Sequence, residues 1–458
     1  MGYYITLSDL FIIPLYLLII FFLAFKIRNK YYPIGHKLHK YFMPGLIVKA
    51  IGSIAICFIY VVYFGYGDSL YYFDISQIIN SSITEDFSTW IRLITHSADP
   101  DIVSDGYYLS QIGEQSYHIN NYTVSVTASL IGLICFNHYL CIALIMGTIA
   151  YTGSWALFIV FTKLYPRLVK QSAIAALFIP AVAIWGSGVF KDTICMFALG
   201  WVVFLFFKIN RFRRFNLFTI LFFCLSCYLI FIVKVYIIAA FFPILLSRLC
   251  FKITFKHKNI FHKVLFLSVV FLVTIRFSGT VARAFTSNIA EILLDNFTQT
   301  VSSFSNASLQ ASIEANGSGY SLGELDGSVR DLINKIPAAI NVTFYRPYLW
   351  EAGKSMTLLA SLESLALLGF SCYVIFKARL RIFKYIFTDV NLFTFLFFSL
   401  ILGYLIGLTT SNFGTLSRFK IPCLPFFLMS LFIIQHHYQK SNSRMIKKKL
   451  YRLIPIIN

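Results

Sequence analysis

The chain has 458 residues, of which 58% are hydrophobic and 18% aromatic while only 13% carry a charge, and its mean hydropathy is +0.74. Soluble domains are about one quarter charged, and long runs almost free of charge are what a lipid bilayer requires. The composition therefore predicts an all-α polytopic membrane protein and excludes a soluble globular enzyme. All nine cysteines lie in or beside apolar runs, which favours packing over disulfides or metal binding.

The apolar runs have lengths mostly near the roughly 20 residues that cross a bilayer. Twelve can be distinguished, at 8–25, 43–65, 121–136, 139–161, 171–187, 193–208, 215–233, 235–250, 264–279, 356–376, 391–408 and 421–436. The segments rich in Lys and Arg between them are all cytoplasmic by the positive-inside rule. This rule also assigns the basic tail 437–458 to the cytoplasm and the N-terminus to the outside. Opposite termini require an odd number of crossings, so we expect about eleven transmembrane helices, with 121–136, or else 171–187, not crossing.

The acidic residues provide a separate test of this topology, because the positive-inside rule depends little on them. Of the 19 acids, 17 fall outside; the exceptions are Asp389 and Glu363. The net charge of +20 is thus a property of the inner face, explained by membrane insertion and by contact with anionic lipid. We therefore expect no nucleic-acid partner. The prediction is one integral domain over residues 1–458, embedded in the cell (inner or plasma) membrane with the lipid bilayer around it.

Two long loops, roughly 66–121 and 280–354, lie outside on this map. Structureless loops of more than about 15 residues are uncommon unless they carry function, so we expect the functional residues in and beside them. The sequence has no Walker A, HExxH or GxSxG motif and no His/Cys set with metal-ligand spacing. No motif therefore identifies a cofactor, and a divalent cation stays an open alternative.

The first group of candidate residues follows the second apolar run. Asp68 and Asp74 stand among aromatic residues at the boundary of the membrane. A carboxylate held there at the end of a rigid span is a candidate general base, because partial burial can tune its pKa. The alternative is that each Asp caps the helix that follows.

The second group is the segment Trp185-Gly186-Ser187-Gly188-Val189-Phe190-Lys191-Asp192. Two glycines interrupt a helix at membrane depth, where irregular backbone occurs only against protein or a wet cavity. Lys191 would bind a phosphate, and Asp192 would hold the lysine. The alternative is a tight turn between two helices with snorkelling ends.

The third group lies before and inside the run at 356–376. Arg346, next to a proline, has a forked, permanently charged head that suits phosphate or carboxylate, and Glu351 follows five residues later as a second catalytic candidate. Glu363 lies within the span itself, and an ionisable intramembrane group is a functional candidate by default. The alternative is a hydrogen-bonded carboxyl that holds helices together.

The fourth group precedes the last apolar run. Arg418 and Lys420 are bases on the side where bases are scarce, so we expect them to bind an anionic partner there. The alternative is an anchor at the membrane interface. All four groups fall on the same predicted side, which favours one outward-facing site.

Gly67-Asp68 with Tyr71-Tyr72 just after an early span, followed by many spans and late exterior arginines, resembles GT-C-type integral membrane glycosyltransferases and the related polysaccharide polymerases and ligases. The stretches YRPYLWEA with Glu363, WGSGVFKD and NFGTLSRFKIPCLPF are similar to segments of bacterial membrane proteins of surface-polysaccharide assembly. The resemblance covers about a tenth of the chain and the overall topology. It implies that Asp68 acts as the base and that Arg346 or Arg418 holds the phosphate of a lipid-linked sugar donor. Such enzymes often have a paired acidic motif in this loop, whereas Asp68 and Asp74 are separated by five residues.

The leading hypothesis is therefore a membrane glycosyltransferase or oligosaccharide polymerase of cell-surface polysaccharide biosynthesis, with a polyprenyl-(pyro)phosphate-linked glycan as substrate. Asp68, Asp74 or Glu351 would be catalytic, and Lys191, Asp192, Arg346, Arg418 and Lys420 would bind substrate or phosphate. Two alternatives stay open: a transporter or flippase of lipid-linked sugars, and a non-catalytic membrane protein that docks assembly partners. The sequence identifies no protein partner.

Overall fold

A computed structural model describes residues 4–210, 216–254, 310, 319–323 and 328–453. These residues form helices, turns and irregular segments. Among them the only β pairing is an isolated bridge between Gly319 and Asn412. The chain divides into two compact units, Met1–Ile238 and Ala239–Asn458. The predicted run 264–279, and most of the predicted loop 280–354, lie outside the described residues.

The first unit contains eleven helices and the beginning of a twelfth. They are α1 (Asp9–Tyr31), α2 (His39–Phe58), α3 (Asp68–Glu85), α4 (Phe87–Ile94), α5 (Val103–Ile112), α6 (Glu114–Tyr117), α7 (Ile119–Ile134), α8 (Tyr139–Leu164), α9 (Val169–Leu177), α10 (Pro180–Ile184), α11 (Lys191–Asn210) and α12 (Leu217–Thr254). A π-helix, Ile59–Phe64, extends α2.

The second unit contains the end of α12 and, among the described residues, seven further helices. They are α13 (Val329–Asn334), α14 (Ile336–Tyr345), α15 (Ser355–Ala378), α16 (Arg381–Thr388), α17 (Val390–Thr409), α18 (Phe413–Phe419) and α19 (Leu424–Leu453). A short 3₁₀ turn, Leu349–Glu351, precedes α15.

Seven helices in the described part of the chain are long and apolar enough to cross a membrane. They are Phe11–Tyr31, His39–Phe64, Tyr139–Leu164, Lys191–Ile209, Leu217–Leu245, Ser355–Ala378 and Val390–Thr409. The pair α18 and α19, bent by 68°, makes an eighth if it is one broken span. The predicted all-α polytopic membrane fold is confirmed. The identity of the membrane and the orientation of the termini stay predictions.

From Leu217 onward, the two apolar runs at 215–233 and 235–250 lie in α12, which is kinked between them at Lys234 (φ −149°, ψ 78°). Two antiparallel helices need a connecting loop of about 2–5 residues. A single non-helical residue therefore breaks a helix without providing such a loop. The structure thus interrupts the helix between the two predicted runs, and by length and composition Leu217–Leu245 counts as one candidate span.

Of the runs 121–136 and 171–187, one was expected not to cross, and both form short helices in the structure. Residues 121–136 belong to α7, which has 16 residues. Residues 171–187 are divided between α9, with nine residues, and α10, with five. Pro180 begins α10 and lacks the N–H that would continue the hydrogen-bond ladder of α9, which explains the interruption.

The first predicted loop is a folded helical layer with a hydrophobic core of its own, built from α3 to α7. Buried Asp105 accepts hydrogen bonds from Arg92 Nε at 2.7 Å and from Nη2 at 2.8 Å, which lowers the pKa of the carboxyl. Asn80 on α3 donates to the Ser129 carbonyl on α7 at 3.0 Å and to Asn137 Oδ1 at 2.7 Å. The core residues are Ile75, Ile79, Leu93, Tyr108, Ile112 and Tyr122.

Glycines bring the spans of the first unit into backbone contact. A Cβ placed on Gly200 of α11 would lie 2.0 Å from the carbonyl oxygen of Gly153 on α8. Likewise, a Cβ on Gly52 of α2 would lie 2.2 Å from the carbonyl oxygen of Ala183. Small residues allow membrane helices to approach this closely and to gain van der Waals contact. The approach of α2 fixes the position of the interrupted segment α9 and α10.

Candidate functional site

Asp68 is the first residue of α3 and is exposed. The turn before it contains Gly65 (φ 72°) and Gly67 (φ 123°), backbone values that side chains other than glycine rarely accept. Gly67 also faces Tyr60, whose ring would lie 2.7 Å from an added Cβ. The N-cap residue is Gly67, without a side-chain cap. Asp68 is thus placed by the turn at the end of the second span, where π-helical geometry is often functional.

Asp74 lies further along α3, and its side chain projects in a different direction from that of Asp68. Six residues correspond to about 600° of helical rotation, so the two carboxylates project about 120° apart. Asp74 Oδ2 accepts a hydrogen bond from the Tyr4 hydroxyl at 3.0 Å. Burial raises the pKa of Asp74, and the bond from Tyr4 partly offsets this. Because Asp74 lies inside the helix, it does not cap it, and of the two predicted bases only Asp68 is an exposed carboxylate.

Asp192 and Lys234 form a buried ion pair between α11 and α12. Lys234 Nζ donates to Asp192 Oδ1 at 2.6 Å, and the two side chains are 4% and 0% exposed. The pair lies where the helix backbone is interrupted at Lys234. Ionisable groups in a membrane span are costly and face the protein interior or a wet cavity. Asp192 therefore holds a lysine, as predicted, but its ion-pair partner is Lys234 and not the expected Lys191.

The geometry of the α11 and α12 hairpin explains this pairing. Asp192 lies 18 residues before the end of α11 at Asn210, and Lys234 lies 17 residues after the start of α12 at Leu217. At 1.5 Å per residue both distances are about 26 Å, close to the thickness of a hydrocarbon core. Near the connection, Lys208 Nζ donates to Thr219 Oγ1 at 3.1 Å. The ion pair therefore lies one membrane thickness away from the basic connection.

Lys191 is half-buried at the start of α11. Its ammonium interacts electrostatically with Lys234, Asp68 and Asp192. The structure therefore brings together Asp68 and the Lys191-Asp192 segment, which lie more than 120 positions apart in the sequence. From the surface inward, the group runs from exposed Asp68 to half-buried Lys191 and then to the buried pair. We call Asp68, Lys191, Asp192 and Lys234 the acid–lysine cluster.

A buried lysine on α2 supports the interrupted segment that leads to this cluster. Lys49 is 4% exposed, and its Nζ donates to the carbonyl oxygen of Val182 in α10 at 2.8 Å. Cations are favourable at helix C-termini, where carbonyl groups have no partner within the helix. Thr193 Oγ1 donates to the Gly188 carbonyl at 2.6 Å. Side chains thus satisfy one carbonyl group of α10 and one of the WGSGVFKD segment.

In the second unit, Arg346 is paired with Glu351. Its Nε donates to Glu351 Oε2 at 3.0 Å and its Nη2 donates to Oε1, the two-pronged geometry that arginine forms with carboxylates. Burial alone would raise the pKa of Glu351, but the hydrogen bonds from Arg346 and from the Tyr348 N–H lower it. Arg346, which was predicted to bind phosphate, is therefore already paired with a carboxylate of the same chain. A phosphate would have to displace Glu351 or bind Arg346 together with it.

Aromatic rings surround the Arg346 guanidinium. Its Cζ lies 5.3 Å from the ring centres of Tyr320 and Phe413 and 5.9 Å from that of Tyr348, within the range of cation–π attraction. Tyr320 is itself fixed, because its N–H donates to the Ser411 carbonyl at 2.9 Å. The second predicted loop is thus joined here to the start of α18.

Lys420 is buried in the turn between α18 and α19, with 1% of its surface exposed. Its Nζ donates to Ser364 Oγ at 3.3 Å, and Ser364 Oγ donates to the Arg346 carbonyl at 3.1 Å. Glu363 interacts electrostatically with Lys420. The structure therefore brings Arg346, Glu351, Glu363 and Lys420 into one connected group. Half-buried Arg418 lies two residues before Lys420, in α18.

Two buried lysines, Lys49 and Lys234, were missed as functional candidates by sequence reasoning. For Lys234 the signal was present, since it is the one charged residue between the apolar runs 215–233 and 235–250. For Lys49 a single cation inside an apolar run gave only a weak signal, because its carbonyl partner lies 133 residues away. In the described portions of the chain, no three His, Cys, Asp or Glu residues are grouped to hold a metal ion.

Comparisons with known proteins add no assignment: no protein-family model, no curated protein and no solved structure matches this chain.

Proposed function

We propose that the protein is a membrane glycosyltransferase or oligosaccharide polymerase that takes a sugar from a polyprenyl-phosphate or polyprenyl-pyrophosphate carrier. The observation that supports this proposal best is the acid–lysine cluster. In it the exposed carboxylate of Asp68 interacts electrostatically with the half-buried ammonium of Lys191. A base and a cation at the membrane boundary are the two groups that transfer from a lipid phosphate requires.

In the proposed reaction, an acceptor hydroxyl oxygen forms a bond with the anomeric carbon of the donor sugar. The bond from that carbon to the carrier phosphate oxygen breaks, and the phosphate keeps the electron pair. Asp68 takes the proton from the hydroxyl, and Lys191 stabilises the charge that develops on the departing phosphate. The buried Asp192–Lys234 pair holds the start of α11, which carries Lys191, against α12, and is not required to touch the substrate.

The test is transfer of labelled sugar from a polyprenyl-phosphate donor in proteoliposomes. We expect Asp68→Asn to lower the rate about 10²–10⁴-fold, as loss of a general base does, and Lys191→Gln to lower it about 10²-fold or more. Asp101→Asn is the matched control, because Asp101 is an exposed acid of the same helical layer outside the cluster. Full activity of both cluster variants would refute the assignment.

A second candidate is translocation of the same lipid-linked sugars. It is favoured by two interrupted helices that each carry a buried lysine at the break, Lys234 in α12 and Lys420 between α18 and α19, which are bent by 68°. Discontinuous helices with charged groups at the break are common in secondary transporters. A protein that moves fluorescent lipid-linked sugar across proteoliposomes, with Asp68→Asn unaffected, would favour transport over transfer.

A further inference from the structure

The segment that joins α15 to α16 carries a dense group of bases. Four lie within eight residues, and all are exposed: Lys377, Arg379, Arg381 and Lys384. Asp389 is the only acidic residue between Glu363 and the C-terminus. Because α15 and α17 are both long and apolar enough to cross a membrane, the short helix between them lies at the boundary of the bilayer.

Contacts with α19 and α17 fix which side of α16 faces inward. The Tyr385 ring stacks on His437 of α19, with centres 5.4 Å apart and planes at 21°. His437 Nε2 is 2.9 Å from Asp389 Oδ2, and Asp389 Oδ1 accepts the N–H groups of Asn391 and Leu392 at the start of α17. Asp389 thus links the end of α16 to α19 and to the start of α17, and α16 is held in one rotation.

The outward side of this segment combines large apolar side chains with the bases. Leu380 is 83% exposed and Phe383 is 61% exposed. In water such exposure is unfavourable, whereas at a bilayer surface an amphipathic helix inserts its apolar residues among the acyl chains and leaves its cations at the headgroups. Free phosphate would use the bases alone and would leave Leu380 and Phe383 without a role.

We propose that this surface, defined by Lys377, Arg379, Leu380, Arg381, Phe383 and Lys384, binds anionic phospholipid headgroups. The bases supply charge complementarity, and each base near an anionic surface strengthens binding by roughly fivefold. Leu380 and Phe383 insert between the lipids and hold the headgroups against the bases. This proposal concerns the second unit alone and does not depend on the proposed enzymatic function.

The experiment places a reporter at the surface. The variant Phe383→Trp is reconstituted in phosphatidylcholine nanodiscs that contain phosphatidylglycerol, with bromine on the acyl chains of one lipid or of the other. Quenching of the added fluorescence, taken as the difference from the unsubstituted protein, then measures which lipid lies at position 383. A second protein carries Arg379→Gln, Arg381→Gln and Lys384→Gln in addition. A matched control carries Lys26→Gln, Arg28→Gln and Lys30→Gln, three bases at the end of α1.

We expect brominated phosphatidylglycerol to quench several-fold more than its share of the lipid predicts. This excess should be lost in the α16 triple variant and retained in the α1 control. Added salt should reduce it. Equal quenching by both lipids would overturn the selectivity for anionic headgroups. Absence of quenching by either lipid would overturn the placement of this surface in the bilayer. An excess that survives the α16 substitutions would show that other bases recruit the lipid and would also overturn the proposal.

Discussion

At the scale of single residues, three buried lysines lie at interrupted helices or contact them. Lys49, Lys234 and Lys420 are each less than one tenth exposed, and the Nζ of each donates to an oxygen atom of another helix. A buried cation is tolerated only when such partners replace its hydration. Where the partner is a charged side chain, as for Lys234, removal of one member is therefore expected to cost more than removal of both.

The Asp192–Lys234 pair allows this expectation to be measured. Lys234→Met leaves the Asp192 carboxylate buried without its ion-pair partner, so we expect a loss of about 3–5 kcal/mol in the free energy of unfolding. The double variant Asp192→Leu with Lys234→Met replaces both charges by apolar groups, and most of the stability should return. Titration with a denaturing detergent measures all three proteins. Equal losses in the single and double variants would contradict the interpretation as a coupled pair.

The pair of Arg346 and Glu351 predicts a dependence of stability on pH. The pKa of Glu351 is lowered from its usual 4.5 in the folded protein, so the stabilisation is complete above that value and is lost as the pH falls through the folded pKa. The wild type should therefore lose thermal stability on acidification, and Glu351→Gln should lose less because it lacks this carboxyl. Parallel melting curves of the two proteins from neutral to acid pH would argue against the pair.

At the scale of helices, the packing of α8 on α11 depends on two glycines. Gly200→Ala places a methyl group where the Gly153 carbonyl oxygen is 2.0 Å away, and overpacking of this kind costs about 1–3 kcal/mol. Gly369→Ala in α15 is the matched control, because no atom lies within 4 Å of the added Cβ; it should be neutral or stabilise the helix by up to about 1 kcal/mol. Thermal melting compares the two, and equal effects would contradict the packing argument.

The helices also mark what the sequence could predict and what it could not. The apolar runs that became α1, α2, α8, α11, α15 and α17 were predictable, because an uninterrupted span needs only hydrophobic length. The break at Lys234 was read as a boundary between two spans, since a charge inside an apolar run can mark either feature. The pairing of Lys234 with Asp192 depends on how α11 and α12 align, which hydropathy does not encode. The association of Asp68 with Lys191 likewise depends on tertiary packing.

At the scale of the whole molecule, the orientation in the membrane is the prediction that most affects function. Single cysteines at exposed positions test it, after two exposed native cysteines, Cys224 and Cys372, are replaced by serine. We expect Val103→Cys, at a site 90% exposed, to react in intact cells with a maleimide that cannot cross membranes. Ile34→Cys, at a site 92% exposed, should react only after permeabilisation. The reverse pattern would invert the predicted topology and assign Asp68 to the cytoplasm.

The orientation of the chain also determines whether Asn80 can be glycosylated. Asn80, whose amide is hydrogen-bonded to Ser129 and Asn137, is followed by Ser81 and Ser82 and so begins an acceptor triplet for N-linked glycosylation. In the folded chain the amide is 6% exposed and cannot reach a glycosylating enzyme. If residues 66–121 enter the lumen of a eukaryotic host cell as predicted, a glycan at Asn80 would label only those molecules that had not yet packed α3 against α7, and the unmodified fraction would measure how quickly this layer folds.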